Sequence, residues 1–336
     1  MQGGLKILKS DIYKIGIDLV YYIPNKRIMR AIKLLPIWAL LGIAFSSCYT
    51  EVIIDDEIIV ESPRNTEILL ESFDLWYVDI NASSGSGEVP FLQQAFTITF
   101  DRGVLWANNN LVGLGKTGNG LGISVGYYSP LNGAVEVDHD VDGLWLFDIY
   151  VVNGSTIELY HNRTNTSYIL QGYQRHSFDY DGVFYDNIQY FLQEYTLWEK
   201  VFTSEAGALN DFDEETYLQF LPVSGGGFFR SSIDPAGIPI GQVQWDYEGE
   251  YQVFDVPNDA TLKTLTLDYD FMGNDYFELY VPNDNTLELY HPDSGTLYEF
   301  RGRGFQQYLK SGQGNEAKKR SKQELPVMDV KRKRPL

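Results

Sequence analysis

A chain of 336 residues with 24 Tyr, 19 Phe and 31 Gly can bury a large aromatic core and turn often, which excludes wholesale disorder and favours strands over helices. The net charge of −20 is unevenly spread: residues 1–47 carry seven Lys/Arg against two Asp/Glu, residues 310–336 carry nine against three, and 48–309 keeps 10 basic against 41 acidic residues. A body near −31 repels phosphate backbones, so nucleic acid is excluded as its partner.

The first element is a leader. From Met29 the chain reads MRAIKLLPIWALLGIAFSSC: two basic residues, an apolar run from Leu34 to Phe45, then Ser46 and Ser47 directly before Cys48. This is the n-region, h-region and small-residue cleavage site of a signal peptide over 1–47, with Met29 as the candidate true start. Cys48 is the only cysteine, so it closes no internal disulfide. It stands where lipoprotein processing needs a thiol to carry diacylglycerol, although Phe45 departs from the usual Leu three residues before the cut. The apolar run is too short to span a bilayer comfortably. Residues 48–64 are acidic and end near Pro63, which predicts a tether between lipid and body.

The body repeats itself. Asp138–Gly172 aligns with Asp268–Gly302 at an offset of 130, with 15 of 35 positions identical and no gap. Upstream, NTEILLESFDLW from Asn65 aligns with NIQYFLQEYTLW from Asn187, so that Leu75-Trp76 corresponds to Leu197-Trp198. Two copies follow, 65–178 and 187–309. Within them Phe96–Phe100, Leu144–Val151, Thr156–Tyr160 and Thr286–Tyr290 read as strands, separated by turns at Asn132-Gly133, Asn153-Gly154 and Ser294-Gly295. Strands at this spacing predict a mainly β chain of two tandem antiparallel barrels or sandwiches. Ile188, Phe191, Leu192 and Tyr195 keep helical spacing, so each copy is expected to open with a short helix capping the sheet, with the shared Trp packed into the barrel floor.

The segments DLWYVDI (74–80), FTITFDRGV (96–104), DVDGLW (140–145) and ELYHP (288–292) resemble a flavobacterial (Bacteroidetes) lipoprotein family with lipocalin-like domains. The resemblance covers about 48–310 and implies tandem lipocalin-like barrels. Some members of that family carry the label nicotinic acid mononucleotide adenylyltransferase. Such nucleotidyl transfer needs an H-x-G-H-like pair at a helix start, where imidazoles and helix dipole face the triphosphate. His139, His161, His176 and His291 stand in DHDV, YHNR, RHSF and YHPD, and none matches.

Chemistry-bearing motifs are few. Asp138, Asp140, Asp142 and Gly143 spell D-x-D-x-D-G, the opening of a calcium loop. Ile149 stands where the bidentate Glu belongs, and Met272 replaces the third Asp in the second copy, so a solvated connection between strands competes with that reading. Residues 113–122, GLGKTGNGLG, imitate a phosphate loop, yet Asn110 occupies the first glycine position and no helix follows. A glycine-rich rim loop, in which Lys116 faces anionic ligands, is the expectation. His161 and His291 hold equivalent strand ends and are expected to cap them. The acids Asp179-Asp181 and Asp211-Asp213-Glu214-Glu215 read as solvated loops, with acid–base work on sugars as the alternative. Trp106, Trp145 and Trp245 could line a sugar or lipid pocket, or belong to the core. The tail 310–336 is basic and poor in apolar residues, which predicts disorder.

No catalytic residues emerge, and the ligand-binding residues are not identified by sequence. The expectation is a lipoprotein of the bacterial envelope, on the periplasmic or external face of the outer membrane, anchored to the membrane through lipid on Cys48. It is expected to bind a small apolar or glycan ligand or an envelope protein without catalysis, and needs no cofactor beyond the candidate calcium at Asp138, Asp140 and Asp142. The alternative is a structural or assembly accessory with filled barrels.

Overall fold

The computed structural model describes residues 62–330 apart from 86, 115–119, 224–225, 272, 307–318 and 323. The leader, Cys48, nearly all of the tether and Lys116 lie outside the described residues.

Helix α1, Pro63–Leu70, begins where Ser62 Oγ accepts the backbone N–H of Asn65 and Pro63 sets the first turn. Its buried Leu69 and Leu70 turn into the first barrel, and Thr66 Oγ1 donates to Leu131 O at 2.5 Å. That barrel runs β1 (Leu75–Gly85), β2 (Thr97–Asp101), β3 (Val104–Asn108), β4 (Ile123–Leu131), β5 (Ala134–His139), β6 (Gly143–Asn153), β7 (Thr156–His161) and β8 (Thr166–Tyr173). A helix α2, Pro90–Gln94, interrupts the path from β1 to β2. Two further helices, α3 (Tyr180–Asp186) and α4 (Ile188–Leu192), lead into the second barrel. Its strands are β9 (Tyr195–Thr203), β10 (Tyr217–Val223), β11 (Gly226–Ser232), β12 (Tyr247–Val256), β13 (Asp259–Tyr269), β14 (Asn274–Asn283), β15 (Thr286–His291) and β16 (Thr296–Phe305). Each set is an antiparallel meander, and pairing of β1 with β8 and of β9 with β16 closes it into an eight-stranded barrel. The tandem all-β architecture follows the periodicity of the sequence.

The repeat in sequence is a repeat in packing. Trp76 and Trp198 are fully buried, and each indole Nε1 donates at 2.8 Å to the carbonyl six residues upstream, Leu70 O and Leu192 O. Across the closing pair, Trp76 faces Gly172 and Trp198 faces Gly302. The missing side chains make room for rings: a Cβ on Gly172 would lie 2.3 Å from Phe73 Cδ2, and one on Gly302 2.5 Å from Tyr195 Cδ2. Phe73 and Tyr195 in turn meet the indoles edge-on, at 4.9 and 4.8 Å between centroids. Tyr195 shares the helical spacing of α4 but belongs to β9, because its ring is needed over Gly302.

Both barrel interiors are filled. Phe100, Phe147, Tyr168 and Leu170 occupy the first, and Phe220, Phe229, Phe277 and Phe300 the second, all at 2 % exposure or less. Between the barrels an apolar seam joins Leu75, Phe96, Leu111 and Leu114 to Phe178, Phe184 and Ile188. Beside the glycine-rich segment, the N–H groups of Leu111 and Val112 do hold an anion, at 2.6 and 2.9 Å, but it is the chain's own Glu194 carboxylate.

The tail corrects its composition. Among the described residues 319–322 and 324–330, Arg320 is 2 % exposed and Val327, itself exposed, bridges to Asp255 of β12. Backbone and ring acceptors, which composition does not reveal, hold it there.

The ring-over-glycine contact sets an expectation for stability. Gly172→Ala and Gly302→Ala should each cost on the order of 1–3 kcal/mol in urea unfolding. Gly154→Ala, whose methyl meets nothing within 4 Å, should stay within about 0.5 kcal/mol of wild type. Equal midpoints for all three variants would show that the contact does not govern closure.

Candidate functional site

With the interiors packed, the openings lie outside them. One is a cleft of about 580 Å³ between the barrels. The first barrel gives it Tyr77, Asp79, Asn81, Gln171 and Tyr173, α3 and its cap give Asp179 and Asp186, and the second barrel gives Asp255 and Lys263. The barrel 1 wall is ordered by its own hydrogen bonds. Tyr173 Oη donates to Gln171 Oε1 at 3.0 Å, and Gln171 Nε2 donates to Asp79 Oδ2 at 3.1 Å. Asn187 Nδ2 donates to Tyr77 Oη at 3.1 Å, and Asp179 Oδ1 caps α3 through Gly182 N at 2.8 Å.

The cleft is acidic. Among the described residues, Asp79, Asp179, Asp186, Asp255 and Glu324 face one ammonium in the cleft, Lys263, which is paired with Asp255. Asp186 is pushed above the usual carboxylate range, by burial in the cleft first, with Asp255, Asp79 and Asp179 adding to it and Lys263 opposing. Phenol rings beside fixed amides and carboxylates suit a ligand that presents hydroxyl or cationic groups along an apolar ring face. They do not suit a fatty chain.

A second polar feature closes the far end of barrel 2. There a 3-10 turn, Asp211–Glu214, is capped by Asn210 and drives Phe212 against Phe277 and Tyr298, at 4.6 and 5.0 Å. The next residue after the turn is Glu215, 3 % exposed, whose Oε1 accepts from Tyr269 Oη at 2.6 Å. Tyr269 also lies against Asp275, and His291 Nε2 stands 3.8 Å from Asp275 Oδ1. One hydroxyl proton cannot serve two carboxylates at once, so the three groups must share protons. Burial pushes Glu215 up to about 7, against the hydrogen bond from Tyr269. Burial also raises Asp275, with His291 and Tyr269 pulling it down.

Barrel 1 closes the same end differently. At offset 130, His139 stands for Tyr269 and Trp145 for Asp275. Phe91 of α2 stacks on His139 at 4.9 Å and meets Trp145 and Phe147 edge-on. A barrel of this design therefore closes without buried acids.

The other residues singled out by sequence are scattered. Asp138 is exposed on β5, Asp140 is exposed in the turn after it, and Asp142 turns back to His139, Oδ2 to Nδ1 at 3.3 Å. The calcium loop is corrected accordingly. The spacing falls on a β-hairpin, with Asp138 and Asp140 exposed and Asp142 against His139, and among the described residues no group of three or more His, Cys, Asp or Glu is placed to hold a metal. His161 and His291 cap strand-end turns, each with Nδ1 at 2.8 Å from a hydroxyl, of Thr164 and Ser294. Asp179 reaches the cleft, whereas Glu215 is buried where a solvated loop was expected. Trp245 lines a smaller pocket of about 230 Å³ with Tyr247, Tyr269 and the exposed Phe271; Trp145 packs beside His161, and Trp106 is half-buried in β3. Sequence reasoning missed Tyr77, Gln171 and Asp186, which lie far apart along the chain. Only the pairing of β1 with β8 and the placement of α3 bring them together. Neither the known protein-family models nor the curated proteins contain a match to this chain.

The buried acid makes a pH test. A carboxyl raised in the folded chain keeps its proton there after the unfolded chain has lost its own, so folding is favoured at low pH and that share is lost as pH rises from 4.5 to about 7. Glu215→Gln should flatten the pH dependence of unfolding across this window by on the order of 3 kcal/mol, measured by urea titration at several pH values. An unchanged slope would place the proton elsewhere.

Proposed function

We propose that this chain is a non-catalytic binding lipoprotein of a bacterial envelope, in which two filled barrels hold a polar cleft for a glycan-like ligand. The observation that carries the reading is the cleft itself: about 580 Å³, with Tyr77 and Tyr173 beside Asn81, Gln171 and five carboxylates. Sugars are held by this combination, since ring C–H faces pack on aromatic groups while amides and carboxylates take up hydroxyls. Of the two ligand classes raised by the sequence, glycan and apolar, this lining supports the glycan. The lipid anchor is supported by the leader that ends at Cys48 and by the acidic residues that follow it. An accessory role in envelope assembly draws support from the filled interiors, which leave the outer surfaces as the working parts.

Two experiments test this. Labelling cells with a palmitate analogue should mark the wild-type chain and leave Cys48→Ser unmarked; equal labelling would refute the anchor. Native mass spectrometry of protein taken from its own envelope should show a retained mass, lost from a Gln171→Ala, Asp186→Asn double variant. A retained mass that survives both substitutions, or none at all, would move the function away from the cleft.

A further inference from the structure

The C-terminal segment contains a buried cation, Arg320, whose guanidinium hydrogen-bonds backbone carbonyls, with Asp79 among the charges that act on it. Arg320 donates through Nη2 to Val78 O at 2.9 Å and through Nη1 to Ala95 O, and its guanidinium lies 4.3 Å from the centroid of the Phe96 ring. Tyr77 provides a second ring at 5.9 Å. Both of these hydrogen bonds go to backbone carbonyls, and Nε is buried with no partner among the described residues. Desolvating a cation this far is costly unless the site is shaped for it. A planar, weakly hydrated fork that stands over an aromatic ring and donates from two nitrogens to two carbonyls suits guanidinium and not ammonium.

The surrounding contacts show what the arginine holds in place. Arg320 N donates to Gln93 O at 2.8 Å, and Ser321 N to Tyr190 Oη at 2.9 Å. Four residues further on, Glu324 and Leu325 line the cleft between the barrels. Then the segment joins barrel 2: Asp255 N donates to Pro326 O at 2.8 Å, Met328 N donates to Asp255 O at 3.0 Å, and Met328 lines a groove on the outside of that barrel. Within a dozen residues the chain passes from barrel 1, along the cleft, to barrel 2. Among the described residues of the segment, Arg320 is the one whose side chain is buried against barrel 1, on Tyr77 and Phe96 at the seam between the barrels.

We propose that the notch formed by Phe96, Tyr77 and the carbonyls of Val78 and Ala95 is a guanidinium-binding site, and that Arg320, its resident occupant, makes the C-terminal segment a latch over the cleft. With Arg320 seated, the latch is closed. When it leaves, Glu324 and Leu325 come away from the cleft, and the notch takes an arginine side chain offered by another basic peptide. The consequence for ligand entry rests on the cleft being the binding site; the notch and latch do not.

Hydrogen exchange on the full chain tests this without any cleft ligand, so its outcome is separable from the glycan reading. In the wild type the amides of Asp255 and Met328 should be protected. Arg320→Ala should speed their exchange at least tenfold, and Arg320→Lys should behave like Arg320→Ala. In the unaltered chain, which needs no variant to fold, excess of a peptide with the sequence of residues 318–322 should also speed these two amides. The same peptide with alanine at the arginine position should not. A peptide effect that ignores the arginine, or exchange at Asp255 and Met328 that is indifferent to Arg320, would overturn the proposal.

Discussion

Closure of each barrel depends on one contact made twice: an indole N–H bonded to the last turn of a preceding helix, with a glycine across the closing strand pair. Trp76 and Trp198 reach Leu70 O and Leu192 O at the same 2.8 Å. The bond fixes the angle at which helix enters strand, because the donor belongs to the first residues of β1 or β9 and the acceptor to the helix end. Gly172 and Gly302 then admit the ring of Phe73 or Tyr195 over the seam. A meander of seven hairpins only becomes a barrel when its first and last strands meet, and unpaired edges are a hazard of sheets. The tryptophan–glycine lock sits at that meeting point in both copies.

Because the same barrel is built twice, each copy serves as a control for the other. What both share, the lock and the two capped histidines, is what closure requires. What differs is not required. Barrel 1 seals its far end with Phe91, His139 and Trp145. Barrel 2 puts Glu215, Tyr269 and Asp275 there, beside the shared His291, groups whose burial is unfavourable unless protons and hydrogen bonds are shared among them. Aromatic closure in barrel 1 shows that an apolar alternative was within reach of the fold. The acids of barrel 2 therefore reflect something other than the making of a barrel.

The architecture was legible because its signals are periodic and doubled. Alternation gave the strands, and the constant offset of 130 gave the copies. The Leu-Trp pairs marked the first strand of each. Single residues were less legible. Glu215 follows Asp211, Asp213 and Glu214, and four acids in five residues read as a solvated loop. The buried Phe212 among them, with Asn210 and Asp213 as reciprocal caps, is the signal that the run folds back into the barrel. The D-x-D-x-D-G run failed for the opposite reason. Its spacing fits a calcium loop, but β5 and β6 pair through it, His139 against Gly143, and among the described residues no group of three or more metal-ligating side chains is gathered there. The cleft lay beyond sequence, since its walls come from opposite ends of barrel 1, a linker helix and barrel 2.

The tail shows why charge alone is a poor guide to where a segment rests. An acidic body attracts any basic stretch, but such attraction is diffuse, screened by salt and indifferent to register. Lys319, paired with Glu88 at 2.6 Å while both side chains stay more than half exposed, belongs to this class and adds little to stability. Its neighbour Arg320 differs by a planar head that stacks on Phe96 and meets two carbonyls. Only the second interaction specifies a position along the chain, because a lysine at 320 would forfeit the fork and a shift of one residue would point the side chain away from the notch. Composition counts both residues as one positive charge each. The fold distinguishes them, and that distinction sets the path of the segment across the cleft.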